Sequence, residues 1–297
     1  MTDAGARDVV LRAPPRYEPL ERLGRGGGGE VWSVRDRISG ETVALKVIGD
    51  GSSDEEMLAL VREAVALSGL EGLGAPRVLR FGRLQDGRAY LVRDLVVGRS
   101  LAELAASRDG GEKAVAAVAD AADQLTRLHR ADLLHGDVKP ANIIVGAHGV
   151  RFVDLGLAAR FLADAEALGE EAASGGGAHA LGMTPKYAAP ELLAGGPLTI
   201  RAEVFALGKT LREVLDRAGD RIDRKMRAAL ADVAAKATEG QPATRYPSAE
   251  EFALAVRQAA GLEESPAITA GTPRTPSGQD DVAKVPSKEP KRGAGGT

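Results

Sequence analysis

The apolar pattern of the chain changes period once, near Gly98. Before that point, short alternating or apolar runs are separated by Gly-rich or polar turns. They read as strands over Tyr17 to Leu23, Glu30 to Asp36, Thr42 to Ile48, Val78 to Phe81 and Ala89 to Val92. One helix interrupts them, because Met57, Leu60, Val61, Ala64 and Leu67 recur at three- and four-residue spacing between Glu55 and Ser68. After Gly98 the spacing predicts helices over Leu101 to Ala106, Lys113 to Arg130, Ala202 to Ala218, Arg224 to Thr238 and Ser248 to Ala260. A brief strand pair, Ile143 to Val145 and Val150 to Val153, lies among them. A chain patterned in this order is confined to an α+β fold: a β-rich lobe with one helix over 17–95, then an α-rich lobe over 96–261. No repeat of the solenoid kind occurs.

Composition narrows the function classes. With 44% apolar residues in 297, the chain can bury one large core or two modest lobes, and at 3% aromatic content that core must come from Ala, Leu and Val. The 39 basic and 42 acidic side chains give a net charge of −3, which excludes a strongly basic nucleic-acid coat and argues against a polybasic membrane binder. Without cysteine there is no disulfide scaffold, thiol nucleophile or Cys-ligated metal. No apolar stretch approaches the roughly 20 residues that cross a bilayer, and Met1 to Arg16 lacks the apolar core of a signal peptide. The expectation is a cytoplasmic protein with no nucleic-acid partner and no membrane segment. Residues 1–16 read as a polar arm. Residues 262–297, rich in Pro, Ser and Thr and free of aromatics, are expected to be disordered.

Three motifs carry chemistry. Gly24, Gly26 and Gly29, followed by Val31, form G-x-G-x-x-G-x-V between two predicted strands. Glycines there let the backbone lie close over phosphates. A dinucleotide-binding turn needs a helix directly after them, whereas Val31-Trp32-Ser33-Val34 is strand-like, so a phosphate-covering hairpin is preferred. Val43-Ala44-Leu45-Lys46 puts one lysine on an otherwise apolar strand, and Glu63, 17 positions on, falls on the flank of the helical apolar stripe. Glu56 is the rival partner, nearer the helix start. His135-Gly136-Asp137-Val138-Lys139-Pro140-Ala141-Asn142 precedes Val153-Asp154-Leu155-Gly156, and together they gather two acids, a lysine and an asparagine around two short strands. Phosphoryl transfer calls for such a set: a carboxylate for the acceptor hydroxyl, oxygen ligands for magnesium and a cation near the moving group.

With that series the chain resembles the protein kinase family over residues 17–260, in the style of bacterial serine/threonine kinases. The resemblance implies a bilobal fold that binds ATP and Mg2+ between the lobes. Gly24, Gly26, Gly29 and Val31 would cover the nucleotide, Ala44 and Ile144 would sandwich adenine, and the backbone of Asp94 and Val96 would read its edge. Lys46 would contact the α- and β-phosphates and pair with Glu63. Asp137 resembles the catalytic base, Lys139 the γ-phosphate partner, and Asn142 and Asp154 the metal ligands. Ala189-Pro190-Glu191 matches the A-P-E motif, whose glutamate usually pairs with an arginine near the domain end, here Arg245. Lys139 and Thr184-Pro185-Lys186-Tyr187 fit the Ser/Thr branch.

Five departures from the family pattern stand out. Gly136 replaces the arginine that grips an activation-segment phosphate, so switching by the common route is not expected. The segment from Asp154 to Glu191, padded by Ser174-Gly175-Gly176-Gly177, is expected to be mobile. Arg93 stands where an apolar side chain normally backs the ATP pocket; whether it competes with Lys46 for Glu63 or Asp154, or lies flat and narrows the pocket, is open. Glu203 replaces an aspartate that bonds the catalytic-loop backbone, and its extra length is expected to loosen that loop. The stretch from Glu191 to Arg245 is short, which removes a helix that often docks substrates. The expected function is Mg-ATP-dependent phosphorylation of protein Ser/Thr hydroxyls, including the chain's own, with physiological substrates unknown. The alternatives are a nucleotide-binding scaffold without turnover and, third, a small-molecule kinase.

Overall fold

The computed structural model describes residues 13–26, 29–49, 52–70, 76–155, 159–160 and 183–262. The expectations for the tail beyond Leu262, and for most of the segment between Asp154 and Glu191, fall outside these residues. The first lobe is a five-stranded antiparallel sheet in the order β1-β2-β3-β5-β4, formed by β1 (Tyr17–Gly26), β2 (Gly29–Asp36), β3 (Thr42–Val47), β4 (Val78–Arg83) and β5 (Ala89–Asp94). Helix α1 (Asp54–Gly69) lies between β3 and β4 in sequence. Ser53 caps it in a reciprocal box with Glu56, which uses up the rival to Glu63.

Register decides which residues face the cleft. Val31 pairs with Lys46, Ser33 with Ala44, Ala44 with Arg93 and Lys46 with Leu91, so these six share one face of the sheet. The opposite face carries the separate cluster of Tyr17, Val34, Val43, Leu45, Val47, Tyr90 and Val92. Strand β3 is therefore buried on both faces, and a charged residue on it needs a partner. Ahead of β1, Arg16 clips Asp36 through two hydrogen bonds, and the Asp36 carboxyl is held down at about 2, chiefly by that arginine.

The second lobe is helical: α2 (Leu101–Ala106), α3 (Gly111–Arg130), α4 (Pro190–Leu193), α5 (Ile200–Ala218), α6 (Arg224–Ala237) and α7 (Ala249–Ala260). Ser100, Asp223 and Ser248 cap three of these helices through their side chains. Helices α3 and α5 bury alanine, valine and leucine on most sides, as the scarcity of aromatics requires. β6 (Arg99–Ser100), β8 (Ile143–Gly146) and β9 (Gly149–Phe152) form a three-stranded sheet, and the short β7 (Leu133–Leu134) pairs separately with β10 (Ala159–Arg160). The main core runs without a break from Leu60, Leu67 and Leu91 of the first lobe into α3, α5 and α7.

Candidate active site

The strands that flank the glycine-rich turn pair as a hairpin, in keeping with the strand-like sequence after it. Gly26 pairs with Gly29 across β1 and β2, and Gly24 lies opposite Val31. Gly29 has φ +107°, and a Cβ there would come within 2.2 Å of the Val47 carbonyl oxygen. Only glycine fits such a position.

Beneath the sheet, Lys46 Nζ donates to Glu63 Oε2 at 2.7 Å and to Asp154 Oδ1 at 2.7 Å. Glu63 is fully buried, Lys46 nearly so, and the Asp154 side chain about half exposed. Burial alone would lower the Lys46 pKa, but the Glu63 and Asp154 charges outweigh it and the ammonium is raised. Asp154 moves the other way: desolvation acts upward, Lys46 overrides it, and the carboxyl ends below its ordinary range. Its backbone is in the left-handed region at φ +65°. Arg93 neither displaces Lys46 nor lies idle. Its Nε is 3.6 Å from Glu63 Oε1, so each oxygen of Glu63 faces a different cation.

Lys139, Asn142 and Thr184 converge on Asp137. Its Oδ2 accepts from Lys139 Nζ at 2.5 Å and from Asn142 Nδ2 at 3.1 Å, and its Oδ1 accepts the Thr184 N–H at 3.3 Å. Lys139 Nζ also donates to Thr184 Oγ1 at 2.7 Å, which ties the loop to the stretch before Ala189-Pro190-Glu191. Asn142 Nδ2 donates again to the Asp137 carbonyl at 2.9 Å, and the Asn142 carbonyl accepts the Val153 N–H at 2.9 Å. That bond brings Asn142 beside the strand end that leads into Asp154. His135 is wholly buried against the Phe152 ring, and its Nδ1 accepts the Asp137 N–H at 3.2 Å. Burial lowers its pKa and keeps the ring neutral.

Glu203 makes the bond to the loop backbone despite its extra length. Gly136, at φ +85°, donates its N–H to Glu203 Oε1 at 2.8 Å, while Glu203 Oε2 meets His129 Nε2 at 2.7 Å. Glu203 is itself buried in the first turn of α5, and its longer side chain serves the loop and α3 together.

The remaining predicted residues line up along the chain between these clusters. Asp94 ends β5 with its carboxylate turned onto Arg77, at 3.0 Å from both the Arg77 backbone nitrogen and Nε. Val96 and Ile144 are half-buried, the latter on β8 opposite Ser100, and Ala44 is buried. Arg245, its side chain wholly buried, grips Glu191 at 2.6 and 2.8 Å. One further centre leaves no mark in the sequence. Glu213 on α5 accepts from Lys186, Tyr187 and Arg217, yet nothing in the spacing separates it from Arg212 or Asp216 beside it.

Comparison with known proteins accords with this geometry. The family model for the protein kinase domain matches residues 17–238. The DNA damage-responsive serine/threonine-protein kinase RqkA of Deinococcus radiodurans is 30% identical over 204 residues, covering 67% of this chain and 29% of that protein. Serine/threonine-protein kinase PknB of Mycobacterium leprae is 33% identical over 218 residues, covering 69% and 34%. Among solved structures, a double variant of the PknI kinase domain of Mycobacterium tuberculosis matches with a TM-score of 0.61 and 25% identity, over 83% of this chain and 97% of that one. The chain thus spans about a third of the length of these two curated relatives.

Proposed function

The chain belongs to the protein kinase family, and on that premise we propose that it transfers the γ-phosphoryl group of ATP to a serine or threonine hydroxyl of a protein. The observation that carries this reading is the convergence of Lys139, Asn142 and the Thr184 backbone on the Asp137 carboxylate. A carboxylate fixed on both oxygens is set to orient an acceptor hydroxyl and take its proton as the phosphoryl group departs. Lys139, two residues on, supplies positive charge beside that hydroxyl. Its second bond, to Thr184, is the side-chain contact that supports a Ser/Thr acceptor.

The donor's place follows from the sheet face. Val31 and Ala44 offer apolar cover, Ile144 is the apolar residue assigned to the opposite wall, and the backbone of Asp94 and Val96 would meet the adenine edge. Gly24, Gly26 and Gly29 let the hairpin close over the phosphates. Lys46, charged and held by Glu63, would hold the α- and β-phosphate oxygens. The donor set also fits magnesium: one carboxylate with one amide oxygen is the sparse protein share that this ion accepts alongside phosphate and water. Asp154 would be that carboxylate. Asn142 spends its Nδ2 on Asp137, which leaves its oxygen as the end to meet the ion. When bound, magnesium neutralises charge on the transferring phosphates.

No observation favours a scaffold without turnover, because Glu203 keeps the loop bond and Arg93 leaves Lys46 in place. Protein substrates, the chain itself among them, are the proposed acceptors. No helix of the described residues is long and apolar enough to cross a membrane. Incubation with Mg-ATP and a mixed protein substrate, followed by phosphoamino-acid analysis, tests the reading. Phosphoserine or phosphothreonine is the expected product. Phosphotyrosine alone, or phosphate found only on small molecules, would overturn it.

A further inference from the structure

Arg93 is a buried cation that the proposed reaction does not use. It sits on β5 opposite Ala44, on the cleft face of the sheet, and is only 6% exposed. Its Nε and Glu63 Oε1 lie 3.6 Å apart, and neither atom has a hydrogen-bond partner elsewhere. The other oxygen of Glu63 belongs to Lys46. Four buried or half-buried charges therefore stand in one cluster, Lys46 and Arg93 against Glu63 and Asp154, and they sum to zero.

Charge in such a place must be matched, since a buried carboxylate left alone is strongly destabilising. A lysine that serves phosphate oxygens cannot give its whole attention to Glu63. If Lys46 were the sole cation there, each turn toward phosphate would weaken the hold on α1, which carries Glu63 in its middle. The helix has modest means of its own: Leu60, Ala66 and Leu67 are buried, while Leu58, Val61 and Val65 face outward. We propose that Arg93 is a positioning residue: a second cationic holder of Glu63 that keeps α1 docked on the sheet while Lys46 attends to phosphate. Only that consequence for Lys46 rests on the proposed function. The Arg93–Glu63 coupling can be measured without any activity.

The test is a double-mutant cycle of Lys46→Met and Arg93→Met in the full chain, read by hydrogen exchange of the amides of residues 54–69 and by the thermal midpoint. Either single variant leaves Glu63 with one cation, so α1 should keep its protection to within about tenfold of the parent. The double variant strands the carboxylate and should lose on the order of a hundredfold more protection in α1 than the singles combined. Arg93→Lys in the Lys46→Met background should restore the loss, a rescue that mere space-filling by a side chain at 93 would not produce. If the double variant fails to fold, adding Glu63→Gln removes the stranded charge and should recover a folded protein. Additive losses in the cycle, no rescue by Arg93→Lys, or no recovery with Glu63→Gln would each overturn the assignment. An absence of phosphoryl transfer in the parent protein would count against the proposed function and leave this coupling as measured.

Discussion

Glu203 on α5 accepts the Gly136 N–H at 2.8 Å and so fastens the backbone just before Asp137 to the centre of the second lobe. The same side chain holds His129 of α3 through its other oxygen. Removing it as Glu203→Ala leaves two buried groups without a partner at once, a cost of about 2–4 kcal/mol. Denaturant unfolding checks that figure. The shorter Glu203→Asp should not raise turnover; a faster enzyme would mean that the longer side chain handicaps the loop.

Acid should release the end of the activation segment. Burial pushes the Glu213 carboxyl upward, but hydrogen bonds from Lys186, Tyr187 and Arg217 overcome it and hold the group at about 2, below its ordinary 4.5. The folded form thus binds its proton less readily than the unfolded chain. Its contribution to stability is complete above 4.5 and is lost as the pH falls from there toward 2. Thermal midpoints across that range should fall less steeply for Glu213→Gln than for the parent. Parallel curves would remove Glu213 from the acid response.

Arg93 should also govern which nucleotide competitors bind. Its side chain lies buried beside Ala44 on the cleft face of the sheet and faces Glu63, so compounds that need an open back pocket should bind poorly. Arg93→Thr should improve their affinity by about tenfold or more, equivalent to about 1.4 kcal/mol. Calorimetric titration of one such compound against both proteins decides it. Equal and tight binding to both would contradict the placement of the side chain.

On the proposed function, magnesium dependence rests with Asp154. Asp154→Ala should abolish magnesium-dependent turnover while its unfolding remains cooperative, because the carboxylate is about half exposed and Lys46 keeps Glu63 as its partner. Turnover that survives with an unchanged magnesium dependence would remove Asp154 from the metal site.

The fold is legible in this sequence because one period dominates each lobe. Alternation placed Ala44 and Lys46 on one face of β3, and the helical phase put Glu63 rather than Glu56 toward the sheet, with Ser53 absorbing Glu56 as a cap. The loop residues are legible for a different reason: Asp137, Lys139 and Asn142 lie within one short run, where spacing alone brings them together. What spacing does not carry is the choice of partner across the chain. The second oxygen of Glu203 finds a histidine 74 positions away, and Glu213 gathers Tyr187 from 26 positions away. The side that Arg93 takes, open on sequence grounds, was decided by which oxygen of Glu63 the lysine left free. Such choices depend on side-chain direction and helix packing, which a periodic pattern does not encode.

Transfer of labelled γ-phosphate from Mg-ATP to the protein itself and to a generic basic protein, with Asp137→Asn alongside, tests the central claim most directly. The Asp137 carboxylate is the point on which Lys139, Asn142 and Thr184 meet. Label in the parent and a loss of at least about a hundredfold in the variant, with its fold retained, is the result expected. Equal labelling of the two proteins, or no label in either while ATP still raises the thermal midpoint, would contradict it.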